Sequence, residues 1–273
     1  MKRANFGKLI KIMKTESFIK LKNIILILAF SITSFNHVIA QESYEVQVYS
    51  SPTLAKNTTI FELHSNISPT GPKNESNFSH PLHETLEITT GLSNNFELGF
   101  YLFNRINDGK FNYMGSHIRP RFTVPSSWNW YFGTSLSIEG GFVKDPFTNI
   151  YGADFEIRPI FDRTIGKNYL SLNPVLDGSF KTHETSFTPN IKYSYKVNPK
   201  YALGVEYYGV TGNPFRWDSY DVQTHQFYFV TDLFLDNTHE YEFGIGRGTT
   251  LSSDVWNIKL ILGQRVSWKK KSK

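Results

Sequence analysis

Two short strings in this 273-residue sequence place a charge at every second position: His117-x-Arg119-x-Arg121 and Asp154-x-Glu156-x-Arg158, the latter continued by Asp162. Period-two spacing stacks such groups on one face of a strand, where each can pair with the strand alongside. Glu87, Glu206, Glu242 and Lys259 recur on the same kind of face in other segments. Two chemistries fit this arrangement. A ring of fixed charges sorts solutes by sign and size. Interleaved charges of both signs also pair with one another, filling an interior and fixing strand register. Both readings remain open at the level of the sequence.

Catalytic chemistry has little to stand on. The chain has no cysteine, no G-x-S-x-G elbow, no H-E-x-x-H motif and no glycine-rich phosphate loop. His64-Ser65 and the pair His83 and Glu87 come nearest to an acid/base arrangement. Four residues along a strand separate the latter pair by about 13 Å, too far for direct proton transfer. No catalytic residue, metal site or cofactor is therefore expected, and the chain does not read as an enzyme. Phe215-Arg216-Trp217, an aromatic pair around a cation in a long polar link, reads first as a loop packing on its own aromatics, and otherwise as a contact for an outside ligand or a plug that folds inward.

The elements that carry these residues are strands. From residue 57 on, twelve segments of period-two alternation recur, divided by Gly, Asn, Pro, Asp and Ser. They run approximately over 57–68, 79–91, 95–106, 111–124, 128–142, 149–163, 168–180, 186–197, 200–211, 225–235, 239–249 and 255–267. Tight links at 93–95, 125–127, 165–167, 198–199 and 236–238 alternate with longer polar ones at 69–78, 107–110, 143–148, 181–185, 212–224 and 250–254. An even number of antiparallel strands with short turns at one end and long loops at the other describes an outer-membrane barrel, with both termini on the periplasmic side.

A soluble sandwich also alternates. Aromatics near the strand ends favour the membrane: Trp128, Trp130, Tyr169, Tyr193, Tyr195, Tyr201, Tyr207 and Trp268 lie where interfacial girdles form. A charge on the lipid side costs roughly 2–4 kcal/mol at the bilayer midplane. The charges above are therefore expected to point into the lumen, together with Glu97, Arg105, Glu139, Asp177, Lys192, Lys196, Asp232 and Arg265.

The first 40 residues carry seven basic side chains, a short apolar run from Ile24 to Phe30 and a small-residue ending at Val38-Ile39-Ala40. This is the pattern of a secretory signal peptide cut after Ala40; the run is well short of the roughly 20 residues a membrane helix needs. Its removal leaves 22 basic and 23 acidic residues, a net charge of −1. The basic balance of the whole chain therefore belongs to targeting and gives no reason to expect nucleic acid. An exported chain without cysteine fits the bacterial envelope. Asn57, Asn66, Asn74 and Asn77 open N-x-S/T triplets, which read as polar loop residues.

Several segments carry a resemblance: His83-Glu84-Thr85-Leu86-Glu87, Phe96-Glu97-Leu98-Gly99-Phe100, His117-Ile118-Arg119-Pro120-Arg121, Phe155-Glu156-Ile157-Arg158-Pro159 and Tyr201 to Tyr208. The chain from about residue 41 resembles a group of Gram-negative, transporter-like outer-membrane barrels related to those named for a phenol-degradation pathway. The resemblance implies a barrel that the assembly machinery inserts by reading a terminal aromatic, a role that falls on Trp268, here followed by the basic residues 269–273.

The expectation is thus an all-β chain: an antiparallel transmembrane β-barrel of about twelve strands after a cleaved signal peptide at 1–40. A periplasmic segment covers 41–56, the barrel 57–268 and a basic tail 269–273. Its expected place is the bacterial outer membrane, and its partners are membrane lipid, the assembly machinery and small solutes. The function read is passage of small solutes through a charged, narrow lumen. The alternatives are a closed barrel that binds a partner through its external loops and a lipid-modifying barrel enzyme.

Overall fold

The computed structural model describes residues 44–76, 78–145 and 148–268. Twelve antiparallel strands form the wall: β1 (Thr58–Pro72), β2 (Leu82–Ser93), β3 (Phe96–Asn107), β4 (Lys110–Thr123), β5 (Gly133–Lys144), β6 (Tyr151–Ile165), β7 (Asn168–Ser179), β8 (Thr185–Asn198), β9 (Tyr201–Val210), β12 (Thr224–Leu233), β13 (His239–Gly248) and β14 (Asp254–Ser267). Between β9 and β12, the two-residue strands β10 (Gly212–Asn213) and β11 (Arg216–Trp217) form a small hairpin of their own. Each wall strand pairs with its neighbours along the chain, and β1 closes the cylinder on β14, with Thr58 opposite Ser267.

Alternation within each strand decides which way side chains point. Along β8, Thr188, Asn190, Lys192 and Ser194 are buried, while Ile191, Tyr193 and Tyr195 are exposed. Along β9, Glu206 and Tyr208 are buried, while Leu203 and Val205 are exposed. The polar residues line the inside and the apolar ones form the outer surface, the reverse of a soluble sandwich. Leu98, Phe100, Ile118, Leu136, Ile138 and Leu172 continue the outer apolar band. Water would not tolerate an apolar surface that encircles the molecule, and lipid requires one.

The turns follow local chemistry, with two departures from the sequence reading. The link at 107–110 is a tight turn and not a long loop. Asp108 and Gly109 both have positive φ, at 50° and 72°, the type I′ geometry that fits the right-handed twist of a hairpin. Conversely, 128–132 is not strand. A 3-10 turn occupies Ser126–Trp128 and Asn129 is left-handed at φ 51°, so β5 begins only at Gly133. Pro125 just before the turn has no N–H for the ladder. Trp128 and Trp130 remain exposed, as a girdle requires, but on a loop.

Other expectations also change. Tyr169 faces inward and its hydroxyl donates to Asp162 Oδ2 at 3.0 Å, because Ser171 on the same face of β7 is fully buried. Asn66 is buried inside the barrel and is no loop residue. Lys196 and Arg265 are exposed at the end where β8 and β14 finish. Asn77 and the tail 269–273 lie outside the described residues, as does the segment 1–40.

The largest correction concerns residues 41–56, expected in the periplasm. Residues 44–56 instead run through the lumen, with Tyr44, Val46, Val48, Tyr49 and Ser51 all buried. Val46 and Val48 pack on Tyr208, Tyr228 and Val230, and Tyr44 on Tyr101, Phe103 and Met114. The apolar core of the molecule thus lies between this strap and the barrel wall.

Candidate functional site

The strap is held by side chains of the wall rather than by strand pairing. Arg158 Nη1 donates to the Gln47 carbonyl at 3.2 Å, and Arg121 donates to the carbonyls of Ser50 and Pro52 at 3.1 and 3.2 Å. Lys259 Nζ donates to the Val46 carbonyl at 3.0 Å. Asn173 brackets the Tyr49 backbone: its Oδ1 accepts from the amide at 2.8 Å and its Nδ2 donates to the carbonyl at 3.1 Å. Ser51 donates to Asp162 through its amide at 2.8 Å and its hydroxyl at 2.6 Å. The Leu54 amide donates to Glu97 at 2.7 Å.

Space for the strap comes partly from missing side chains. A Cβ on Gly91 would collide with the carbonyl oxygens of Leu54 and Ala55, and one on Gly133 with Ser51 and Asp162. At these points the strap approaches the wall as closely as only glycine permits.

Tyr49 sits at the centre. Its ring is 4.6 Å from the guanidinium carbon of Arg119, 5.4 Å from that of Arg121 and 4.7 Å from that of Arg158. These are distances at which a cation is attracted to an aromatic face, by about 2 kcal/mol when desolvated. The Tyr49 hydroxyl stands 3.0 Å from that of Tyr101 and donates to Glu87 at 3.3 Å.

The structure brings residues of the two charged strings together, and each finds a partner. Arg119 pairs with Glu87 at 2.7 Å and Glu97 at 3.4 Å, and Arg121 with Glu97 at 2.7 Å. Arg158 holds Glu156 through two bonds of 2.6 Å. His117 spans Glu139 at 2.7 Å and Asp154 at 2.8 Å. Across the lumen a second cluster joins Lys192 to Glu206, Asp232 and Glu242 at 3.2, 2.7 and 2.6 Å. Lys259 completes it, bonded to Glu206 and, at 2.5 Å, to Glu242. Buried charges are tolerable only when paired in this way.

Phe215, Arg216 and Trp217 are remote from this interior. Phe215 is 96% exposed on the β10–β11 hairpin and Trp217 is 64% exposed, so this loop does not fold in as a plug. It is the strap that lies in the lumen. Its alternation from Tyr44 to Val48 was visible in the sequence, but nothing there distinguishes a lumenal strap from a short free strand.

No protein-family model matches the sequence, and no curated protein matches it significantly. Among solved structures, the chain is similar to the COG4313 outer membrane channel from Pseudomonas putida F1, with a TM-score of 0.55 and 11% identity over 81% of this chain and 100% of that one. It is also similar to the NanC porin, with a TM-score of 0.50 and 9% identity over 77% of this chain and all of that one. The KdgM porin follows at a TM-score of 0.48 and 13% identity, over 77% and 99% of the two chains. The chain shares the barrel fold of these outer-membrane proteins. The expected class, a closed antiparallel barrel of twelve strands, is the one observed. The expected tie to phenol-pathway barrels in particular finds no such support.

Proposed function

We propose that this chain is a bacterial outer-membrane channel for small solutes, without enzymatic activity, whose charged and narrow lumen is closed at rest by residues 44–56. The observation that carries this reading is how the strap is bound. It is extended, pairs with no strand, and is held by hydrogen bonds and by the three arginines around Tyr49. Such a segment can leave the lumen without breaking the barrel's own ladder. What it leaves behind is an interior with a carboxylate excess: Asp154, Glu156, Asp177, Asp232 and Glu242 add to the buried acids. The open channel therefore prefers cations, with Arg119, Arg121 and Arg158 as its positive counterweight.

The same reading has the chain cleaved near Ala40, embedded through its apolar band in outer-membrane lipid and inserted by the barrel-assembly machinery. Trp268 is the terminal aromatic presented to that machinery. Its Nε1 donates to Thr59 Oγ1 at 2.9 Å, which ties the last strand to the first at the closing seam.

Single-channel recording in planar bilayers tests the proposal, comparing wild type, Tyr49→Ala, and Arg119→Ala with Arg121→Ala. Small or rare steps in wild type, larger steps in Tyr49→Ala and a further shift toward cations in the double variant are expected. Silence from all three folded proteins would move function to the outside. There the exposed Phe215 and Trp217 with Arg216 between them favour a second reading, a closed barrel that binds a partner through this loop.

A further inference from the structure

The sequence offers no metal motif, yet barrel closure brings three potential ligands together inside the lumen. Glu62 on β1 and Glu87 on β2 are directly opposed in the ladder, both facing inward and both buried. His64, two residues along β1 from Glu62, shares that face and is completely buried. One ligand atom from each lies within 4.8 Å of the others.

Two observations set this group apart from the other lumenal charges. Like charges directly opposed on neighbouring strands destabilise a sheet. Arg119 offsets only one side of the pair, through Glu87 Oε1 at 2.7 Å. Glu87 Oε2 is left facing His64, and Glu62 has no cation paired to it among the described residues. The second observation is His64 itself. Among the described residues neither ring nitrogen makes a well-formed hydrogen bond, and its ion-pair contact, Nε2 to Glu87 Oε2, is long at 3.5 Å. A charge-assisted bond would measure about 2.7–2.9 Å. A fully buried imidazole without a well-formed hydrogen bond is costly. His117, by contrast, has carboxylates on both of its nitrogens.

We propose that Glu62, His64 and Glu87 bind a divalent transition-metal ion of the zinc class in the lumen wall, beneath the strap. One imidazole nitrogen and two carboxylate oxygens form a donor set this class accepts. Bonds of about 2.0–2.2 Å place tetrahedral ligand atoms roughly 3.3–3.6 Å apart, so side-chain rotations of about an ångström close the triangle. The ion neutralises the opposed carboxylates and gives His64 a close partner. The Tyr49 hydroxyl, 3.3 Å from Glu87 Oε2, covers the position from the lumen side. Metal and strap thus share a carboxylate.

The test uses the full chain refolded in detergent, equilibrated with zinc chloride and freed of excess metal by gel filtration, with retained zinc counted by mass spectrometry. Heat-modifiability on a gel confirms that each barrel is folded. Wild type is expected to retain one zinc per chain. Glu62→Gln, which preserves shape, and His64→Ala should each reduce retention at least tenfold, while His117→Gln keeps it. Folded wild type that retains no zinc would overturn the proposal and leave Arg119 and a shared proton to balance the two carboxylates. Zinc retained unchanged in both Glu62→Gln and His64→Ala would also overturn it, by locating the ion elsewhere. Neither result depends on whether the barrel conducts.

Discussion

The guanidinium carbon of Arg158 lies 4.7 Å from the ring centroid of Tyr49, which joins a wall residue on β6 to a strap residue more than a hundred positions earlier in the chain. Arg119 approaches the same ring at 4.6 Å. Replacing Tyr49 removes the strap's shared anchor while leaving each arginine its carboxylate. Tyr49→Ala should weaken the strap by roughly 2–4 kcal/mol, counting non-additive cation–π contacts of about 2 kcal/mol each. The expected readout is at least a tenfold rise in open probability in planar bilayers, with Tyr49→Phe close to wild type because the ring is kept.

Crowding the strap from the wall side should have the same effect by a different route. A side chain at Gly91 meets the carbonyl oxygens of Leu54 and Ala55, so Gly91→Val should displace the strap at that end of the lumen. Raised conductance and faster proteolysis within 44–56, with unchanged heat-modifiability, are the expected outcomes. A variant as closed as wild type would mean that the strap has room to shift sideways.

Lys259 is fully buried and holds Glu206 and Glu242. Lys259→Met leaves Glu206 and Glu242 to share Lys192 as their one remaining cation, and removing one partner of a buried ion pair costs about 3–5 kcal/mol. The urea midpoint for unfolding from lipid vesicles should fall accordingly. The double variant Lys259→Met with Glu206→Gln should recover part of that loss, as interacting sites do in a double-mutant cycle.

Val205 is 45% exposed in the middle of the outer band of β9. Val205→Arg should cost roughly 2–4 kcal/mol in the same vesicle assay, against near zero for a charge placed at the rim. Equal effects at both depths would be inconsistent with lipid around this face.

N-terminal sequencing of the protein recovered from cells should begin at Gln41, since the segment before it has the form of a signal peptide ending at Ala40. A start at any residue before Gln41 would refute cleavage at that position.

The sequence by itself determined the wall. Period-two alternation depends only on the pleat, so the segment containing Ile191, Tyr193 and Tyr195 against Asn190, Lys192 and Ser194 showed both its strand character and its two faces. The charged strings were likewise legible as inward-facing, because lipid excludes them. The alternation misled where local backbone geometry intervened, at the 3-10 turn of Ser126–Trp128 and at the Asp108-Gly109 turn. Only the tertiary structure decided what the interior contains. The lumen exists because β1 closes on β14, and its occupant is chosen by groups scattered from Asn66 to Lys259, whose convergence no local pattern encodes. The same closure and pairing set Glu62 opposite Glu87 beside His64: residue spacing fixes neighbours along a strand, but register fixes neighbours across it.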